Sequence, residues 1–389
     1  MKKILEYLMP VAITFILFIL IYICLGVTPF GSNTVFHYDM AMQSYPALTL
    51  MYDVLHGDRG LFYNFNIGGG ENAYAALVSN GFYSPINWLV AIGNRESIPT
   101  ITSWLLILKF SLISLSTYYV LKKIFPNLEK KWILVGALLN SLSSYSLLYY
   151  VNFQWIECWA LFPITMLGIK NILDGKSGKL FTITLTLCLM ISFYMAWLNL
   201  LIIIFGGGVA LFLYAKKENR RKAACKLFFN TLISLLISFI SFFPAFSCSM
   251  NSYRMENTNE FLEKVNPILF KGLHFLTSPI LIYYTLKMFL NYKNDKRNVK
   301  ILGAFLLITI IPFFIEPINK MWHTGSYSGL PYRYGFITIF TMVCSMMHYL
   351  NVAPQKNEEK IEANKMKIAI LIFLGILIFY VVFNICFIV

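Results

Sequence analysis

A carboxylate, an imidazole and an amide fall close together in "FHYDMAMQSYPA", residues 36–47, just beyond the first apolar stretch of the chain. Asp39 could act as a general base that takes the proton from a hydroxyl group while this hydroxyl attacks an activated sugar carbon. His37 could hydrogen-bond a phosphate or orient Asp39, although a His-x-Asp pair alone is a weak metal signal. A solvated aspartate in an Asx turn would give the same pattern, so both interpretations of Asp39 stay open at this point.

A second candidate for chemistry lies in "GLPYRYG", residues 329–335. Arg333 stands between Tyr332 and Tyr334 at the start of a late apolar segment, where its guanidinium could bind a lipid-linked phosphate through two hydrogen bonds. The alternative is an arginine that snorkels to the membrane interface within an aromatic belt. The backbone N–H groups of "IGGGEN", residues 67–72, could bind an anion, although three consecutive glycines more often form a flexible turn.

One lysine lies deep in a predicted membrane span. Lys109 stands about nine residues into the second span, where an ionisable side chain is costly and usually faces a partner or a cavity. Glu157, near the end of the fourth span, is the predicted ion-pair partner, and a structural role is predicted for this pair. Four residues beside another span could belong either to the interface or to the site: Glu316, Lys320, Trp322 and His323.

The elements that position these residues are predicted to be membrane-spanning helices. The chain has 389 residues, of which 58% are hydrophobic and 13% are charged, about half the charged fraction of a soluble domain. Apolar windows of roughly 18–22 residues, enough to cross a hydrocarbon core of about 30 Å, recur along it. They predict an all-α, polytopic transmembrane domain over 1–389 with about eleven spans: 9–28, 100–121, 133–151, 155–173, 180–196, 198–215, 227–247, 272–290, 299–316, 334–350 and 367–388.

The distribution of basic residues predicts the orientation in the cell membrane. With a cytoplasmic N-terminus, 24 of the 32 lysines and arginines fall in loops on the cytoplasmic side and seven fall outside. This asymmetry follows the positive-inside rule and predicts an extracytoplasmic C-terminus. The positive net charge is then a feature of topology, and a nucleic-acid partner is not indicated because no basic stripe is interleaved with exposed aromatic residues.

The same topology places a long loop, residues 29–99, on the extracytoplasmic side. Within it, 46–56 is predicted to be an amphipathic helix with Pro46 at its first position, too short to span the bilayer and therefore interfacial. A second interfacial helix is predicted over 85–92, with Ser84 as its cap. Loops of this length in an ordered protein are usually functional, so the loop is the predicted location of the site.

The loop also carries a pattern that matches a known family. The pattern consists of Asp39, Gln43, Tyr45, Pro46, Gly57, "FYNF" (62–65), "GGGEN" (68–72), Tyr83, Ser84, Pro85 and Asn87, joined by Tyr332, Arg333 and Tyr334 before a late span. This pattern resembles the signatures of the bacterial YfhO-type membrane protein family. The resemblance runs through nearly the whole chain and is dense in 36–90 and 329–336.

The resemblance implies a function. The YfhO family is similar to the GT-C class of polytopic glycosyltransferases, which take a sugar from a polyprenyl-phosphate carrier; in this family the implied acceptor is a teichoic-acid-type polymer of the cell envelope. Asp39 matches the acidic catalytic position of the first extracytoplasmic loop, and Arg333 matches a late basic position for which lipid-phosphate binding is expected. Further substrate-binding positions are expected at His37, Gln43, Tyr45, Asn72, Asn87 and Tyr332.

Two other functions fit the sequence. A transporter or flippase of a lipid-linked precursor would favour charged or broken helices at mid-membrane and internal repeats, whereas Lys109 stands nearly alone at depth. The second alternative is a non-catalytic scaffold of an envelope-synthesis complex. Longer members of the family continue into an extracytoplasmic region beyond the position of Val389, which keeps this alternative open. No cofactor or metal-ligand spacing is evident in the sequence, which leaves dependence on a divalent metal open.

Overall fold

The computed structural model describes residues 2–67, 69–251, 279–293, 295–325, 327 and 330–352. These residues form fifteen α-helices, which we number in chain order: α1 Lys2–Leu25, α2 Tyr45–Leu55, α3 Ala73–Ser79, α4 Ile98–Ile124, α5 Lys130–Ser141, α6 Ser144–Tyr149, α7 Trp155–Leu173, α8 Lys179–Ile191, α9 Phe193–Leu213, α10 Arg220–Ile237, α11 Phe239–Met250, α12 Pro279–Leu290, α13 Lys296–Phe314, α14 Glu316–Trp322 and α15 Gly335–Asn351. A π-helical turn, Met40–Ser44, and three 3₁₀ turns, Asn87–Ile92, Arg95–Ser97 and Lys217–Asn219, complete the helical structure. Two short antiparallel strands, β1 Tyr63–Asn64 and β2 Glu71–Asn72, pair Tyr63 with Asn72.

Six helical segments of the described residues are long and apolar enough to cross a membrane: Ile4–Leu25, Arg95–Ile124, Lys130–Tyr149, Trp155–Leu173, Phe193–Leu213 and Lys296–Phe314. A seventh span results if α10 and α11, which meet at an angle of 79°, are counted together. The chain is therefore a multi-pass membrane protein, with six or seven spans in its described part where the sequence predicted eleven in the whole chain.

The difference from eleven spans has local causes. The predicted span 180–196 ends early because Ser192 adopts an extended conformation, and α8 has only 13 residues. The predicted span 334–350 is the 17-residue helix α15, which packs in the interior of the bundle. The predicted span 367–388 and the first part of 272–290 lie outside the described residues.

Hydrogen bonds at one end of the bundle tie α1, α4 and α5 together. The carboxylate of Glu6 accepts hydrogen bonds from Tyr118, Lys122 and Lys130, the first over 3.0 Å and the last over 2.9 Å. Residues 26–97 form the long connection at the other end, because α1 and α4 run antiparallel. We call this other end, to which 142–154, 315–325 and 330–334 also belong, the first-loop end.

Small polar side chains join the same helices inside the bundle. Thr14 of α1 hydrogen-bonds Ser114 of α4 over 2.5 Å, and the Ser114 hydroxyl donates to Ser141 of α5 over 2.6 Å. Such interhelical bonds stabilise helix pairs in membranes, where the hydrophobic effect between helices is weak.

Short elements at the first-loop end agree in part with the prediction. The interfacial helix predicted over 46–56 is α2, which starts one residue earlier and has proline in its first turn. The second predicted helix is a 3₁₀ turn, Asn87–Ile92, whose first N–H group donates to the hydroxyl of Ser84, the predicted cap. The helix α3 and the strands that precede it were not predicted.

Candidate functional site

Asp39 stands at the start of the π-helical turn in the first loop. Its carboxylate accepts a hydrogen bond from Nε2 of Gln43 over 3.3 Å, because one turn of helix brings the two side chains together. Asp39 is half-buried and Gln43 is exposed. The preceding residue, Tyr38, has a φ of 46° and 84% of its surface exposed, which is an uncommon conformation for a residue other than glycine. The pair is thus held by the backbone and open to a substrate.

The π-helical turn is attached to the bundle through its last residue. Ser44 is buried, and its hydroxyl donates to the side-chain oxygen of Gln154 over 3.2 Å. Gln154 immediately precedes α7. The position of Asp39 is therefore fixed relative to the segment that enters α7.

Arg333 contacts the next residue of that segment. Its guanidinium carbon lies 5.4 Å from the ring centroid of Trp155 and 5.1 Å from that of Tyr194, distances at which a cation is attracted to an aromatic face. Its Nε donates to the carbonyl of Leu330 over 3.3 Å. The aromatic rings and the carbonyl fix the plane of the guanidinium, which is half-buried.

The backbone around Arg333 is attached to the same region by two tyrosines. Tyr145 donates from its hydroxyl to the carbonyl of Arg333 over 2.6 Å, and the N–H of Tyr332 donates to the hydroxyl of Tyr149 over 3.3 Å. Both regions that carry the sequence signatures therefore contact the segment 149–155, although about 290 residues separate them along the chain. The fold brings them to the same end of the bundle.

A buried histidine lies behind Arg333. Nδ1 of His323 lies 2.7 Å from the carbonyl of Asn319, so Nδ1 carries the proton, and Nε2 has no hydrogen-bond partner among the described residues. Burial, together with the positive charge of Arg333, lowers the pKa of His323 to about 3. His323 is therefore neutral at physiological pH and adds no positive charge beside Arg333.

The neighbouring carboxylate is also enclosed. Glu316 is buried and accepts hydrogen bonds from the hydroxyl of Tyr327 over 2.7 Å and from Asn319 over 3.5 Å. Burial and the bond to Glu316 raise the pKa of Tyr327, which keeps this hydroxyl protonated as a donor. The network positions α14 against Tyr334, whose hydroxyl donates to Asn319 over 3.0 Å. These contacts indicate a structural role for Glu316.

The predicted partner of Lys109 is confirmed. Nζ of Lys109 lies 2.8 Å from Oε1 of Glu157 and also donates to Oδ1 of Asn87 over 2.7 Å and to the carbonyl of Phe153 over 3.1 Å. The hydroxyl of Ser84 donates to the same glutamate over 2.6 Å. All five groups are buried. The amide oxygen of Asn87 is bound by Lys109, and the amide nitrogen donates to the carbonyl of Gly81. Because both ends of the amide are bound within the fold, we do not retain Asn87 as a sugar ligand.

The other predicted ligands are dispersed around the first-loop end. Asn72 is exposed and caps α3 by accepting the N–H of Tyr74 over 3.0 Å.

Tyr45 packs on Phe36 with ring centroids 4.5 Å apart, and His37 is exposed beside Asp39. Tyr332 is fully buried, with its hydroxyl bonded to Thr338. Their substrate-binding roles stay predictions, and only His37, Gln43 and Tyr45 lie next to Asp39 in the chain.

Two cavities adjoin these residues. A cavity of about 840 Å³ with a mixed wall of polar and apolar side chains lies between α2, the β1–β2 strands and α3. We call it the polar cavity, to distinguish it from the apolar groove, and Gln43 forms part of its wall. An apolar groove of about 630 Å³ runs along α4, α7 and α8 from Tyr7 at one end to Pro85 and Ile86 at the other. Among the described residues, no three His, Cys, Asp or Glu side chains are grouped in a way that could hold a metal ion.

A model of a known protein family matches this chain. The model of the family described as "Bacterial membrane protein YfhO" matches residues 9–387. The chain belongs to the YfhO family. No curated protein and no solved structure matches this YfhO-family chain. The resemblance seen in the sequence is therefore confirmed at the level of the family.

The sequence analysis missed several residues that contact the candidate site of this YfhO-family chain. Trp155 and Tyr194, which face Arg333, could not be distinguished from the aromatic residues that line membrane interfaces. Gln154 precedes a predicted span and gave no signal of its own. The positions of these residues depend on contacts between segments far apart in the chain, for which one sequence contains no information.

Proposed function

We propose that this YfhO-family protein is a glycosyltransferase of the GT-C type. It moves a sugar from a polyprenyl-phosphate carrier to a cell-envelope polymer, such as a teichoic acid, on the extracytoplasmic face of the membrane. One observation carries the proposal: the turn that holds Asp39 and the loop that holds Arg333 are attached to the same segment, 149–155, at one end of a membrane bundle. A carboxylate can act as the general base of this reaction, and a guanidinium can bind the phosphate of the donor.

Asp39 is the general base in this proposal. Its carboxylate accepts the proton of the acceptor hydroxyl as the hydroxyl oxygen bonds to the anomeric carbon of the donor and the bond from that carbon to the phosphate oxygen breaks. Gln43 donates to one carboxylate oxygen, which orients the carboxylate and leaves the other oxygen for the acceptor hydroxyl. His37, two residues before Asp39, is exposed and offers a second polar group at this end of the turn.

Arg333 binds the phosphate in this proposal. A guanidinium matches the geometry of a phosphate and stabilises the negative charge that grows on it when the sugar leaves. Trp155 and Tyr194 hold the guanidinium in place, so little reorganisation is needed when the phosphate arrives. Neutral His323 adds no competing charge behind it.

The apolar groove along α4, α7 and α8 accommodates the prenyl chain. Its wall consists mainly of aliphatic side chains of these spans, and its outer end at Pro85 and Ile86 lies beside the 3₁₀ turn that packs on α2. A chain that lies in this groove would thus carry its phosphate to the first-loop end of the bundle.

The experiment is sugar transfer by the purified protein in proteoliposomes. With a radiolabelled polyprenyl-phosphate sugar and a teichoic-acid acceptor, Asp39→Asn is expected to lower the transfer rate by about 10²–10⁴-fold, the usual contribution of a general base. Asp58→Asn is the matched control, because Asp58 is an exposed aspartate of the same loop. Transfer at the parental rate by Asp39→Asn would remove Asp39 from the mechanism.

The same assay separates the alternatives. Binding of the donor without transfer by the unaltered protein would indicate a scaffold, and movement of the donor across the bilayer without transfer would indicate a flippase. The ion pair of Lys109 and Glu157 does not favour transport, because this intramembrane lysine is already bound to a carboxylate and two further oxygens.

A further inference from the structure

The polar cavity at the first-loop end has a wall unlike that of the apolar groove. It is formed by one side of α2, the β1–β2 region, the end of α3 and the 3₁₀ turn that starts at Arg95. Eight of its lining residues carry an amide or a charged group: Gln43, Asn64, Asn66, Asn80, Asp53, Arg59, Arg95 and Glu96. With a volume of about 840 Å³, it is large enough for several sugar or polyol units.

The two arginines of this cavity differ in their contacts. The guanidinium of Arg95 forms two contacts of 3.2 Å with the buried carboxylate of Asp53. The charges of these two side chains are therefore paired with each other within the fold. Arg59 is exposed, and its guanidinium has no hydrogen bond or ion pair with any of the described residues. One cation of the cavity wall is therefore available to an anionic ligand.

The amides of the cavity are held by the fold and keep unused bonding capacity. Oδ1 of Asn64 accepts the N–H of Asn66 over 2.9 Å, which fixes the orientation of this amide, while its buried Nδ2 has no partner among the described residues. Asn80 donates from Nδ2 to the carbonyl of Ala76 over 2.9 Å, which leaves its Oδ1 available. Amides in fixed orientations bind hydroxyl groups as both donors and acceptors.

Gln43 connects the cavity to Asp39. The same side chain lines the cavity and donates to the Asp39 carboxylate over 3.3 Å. A hydroxyl group bound at this end of the cavity thus lies next to the proposed base. Tyr45, whose ring is fixed against Phe36, lines the cavity two residues further along and offers an aromatic surface to a sugar or polyol.

We propose that this cavity is the acceptor subsite and that it binds a polyhydroxylated chain with phosphodiester groups. Asn64, Asn66 and Asn80 bind the hydroxyls, and Arg59 binds a phosphodiester. The catalytic part of this proposal rests on the proposed glycosyltransferase function, whereas binding of the acceptor does not require the donor and is tested without it.

The test measures binding of a synthetic glycerol-phosphate hexamer to the purified full-length protein in nanodiscs by isothermal titration calorimetry, with maltohexaose as the neutral probe. Arg59→Gln is expected to weaken binding of the hexamer about tenfold, as for loss of a charged hydrogen bond, and to reduce its dependence on salt. Arg221→Gln, at an exposed arginine at the start of α10, is the control and should bind as the parent does.

A second pair of variants tests the amides. Asn64→Asp keeps the oxygen that accepts the N–H of Asn66 but replaces the donor with an acceptor, and it should weaken hexamer binding by about tenfold or more. Asn94→Asp is its control: the Asn94 side chain likewise accepts a main-chain N–H group, that of Ser97 over 2.8 Å, outside the cavity. Size-exclusion profiles and thermal unfolding confirm that each variant is folded.

The outcomes distinguish this proposal from the function on which its catalytic part rests. Unchanged hexamer binding in both Arg59→Gln and Asn64→Asp would overturn the subsite, and equal binding of maltohexaose and the hexamer would overturn the phosphodiester specificity. Binding that is lost in both variants, in a protein that transfers no sugar, would support the subsite and contradict the transferase function. Binding retained by Asp39→Asn with transfer lost would support both.

Discussion

Nζ of Lys109 lies 2.8 Å from Oε1 of Glu157 in the interior of the bundle, where neither side chain is accessible. Lys109 belongs to α4 and Glu157 to the first turn of α7, and each also bonds a residue of the first loop, Asn87 or Ser84. The ion pair thus connects two membrane helices to the 3₁₀ turn beside α2. It attaches the first loop to the bundle at a second point, in addition to the bond of Ser44 to Gln154.

Removal of one charge of this pair should destabilise the protein strongly. We expect Lys109→Met to lower the free energy of unfolding by about 3–5 kcal/mol, because Glu157 is then left as an unpaired buried charge. Lys109→Met combined with Glu157→Gln should recover part of this loss. Lys131→Met is the control, because Lys131 forms an exposed pair with Glu129, worth about 0–1 kcal/mol. Denaturant unfolding in detergent measures the effect, and parental stability of Lys109→Met would contradict it.

Acidification should destabilise the protein through His323. Its pKa is lowered to about 3 in the fold by burial and by Arg333, whereas an unfolded histidine titrates near 6.5. Between pH 3 and pH 6.5 the unfolded state binds more protons than the folded state does. The contribution of neutral His323 to the free energy of unfolding is therefore complete above pH 6.5. It is lost progressively as the pH falls towards 3, by about 1.4 kcal/mol per pH unit.

The unfolding temperature measured from pH 7.5 to 5 should therefore fall less steeply in His323→Gln than in the parent. His56→Gln is the control, because His56 is exposed in the first loop. A parallel pH dependence in His323→Gln and the parent would show that His323 is not the responsible group.

A glycine determines how closely α7 and α8 approach. A Cβ atom at Gly168 would lie 2.7 Å from the backbone of Phe181, and this backbone cannot move aside without shifting α8. We expect Gly168→Ala to lower the unfolding temperature by several degrees, since overpacking typically costs about 1–3 kcal/mol.

Gly208 of α9 is the matched position, because nothing lies within 4 Å of a Cβ atom there. Gly208→Ala should leave the unfolding temperature unchanged or raise it, through the higher helix propensity of alanine. If both alanine variants behave alike, the close approach at Gly168 does not limit the packing.

A bulky side chain in the apolar groove should discriminate between donors. Leu187 of α8 lines the groove, whereas Ile183, one turn earlier on the same helix, does not and is exposed. Leu187→Trp should raise the KM for a donor with a long prenyl chain by about tenfold, because the indole displaces part of the chain from the groove and each buried methylene contributes about 0.8 kcal/mol. The KM for a short, two-isoprene donor should stay unchanged.

Ile183→Trp is the control for the added indole, and transfer assays with both donors measure the difference. An equal change in KM for the two donors would contradict a prenyl chain in the groove.

The membrane pattern of the sequence predicted more of the architecture than of the site. Lys109 was assigned to Glu157 because a lysine at that depth requires a partner, and the structure confirms the pair. The helix at α2 followed from proline and a hydrophobic stripe. These features depend on residues close in the chain or on the strong cost of charge in hydrocarbon.

Other features escaped prediction because they depend on tertiary contacts. Asp53 lies within α2, which was predicted to be an interfacial helix, yet its carboxylate is buried and bound by Arg95, 42 residues further along the chain. Hydropathy alone could not locate the break at Ser192, where the hydroxyl accepts the N–H of Met195. The orientation of the bundle in the membrane stays a prediction from the distribution of basic residues.

The bonds of Glu6 have a consequence for biogenesis. Glu6 and its partners Tyr118, Lys122 and Lys130 all lie in the first 130 residues, as do the helices α1 and α4. This part of the bundle can therefore assemble while the ribosome is still adding the later spans. Arg333 is synthesised more than 200 residues afterwards. A nascent chain can thus form the bonds of Glu6 long before Arg333, the proposed phosphate ligand, has been made.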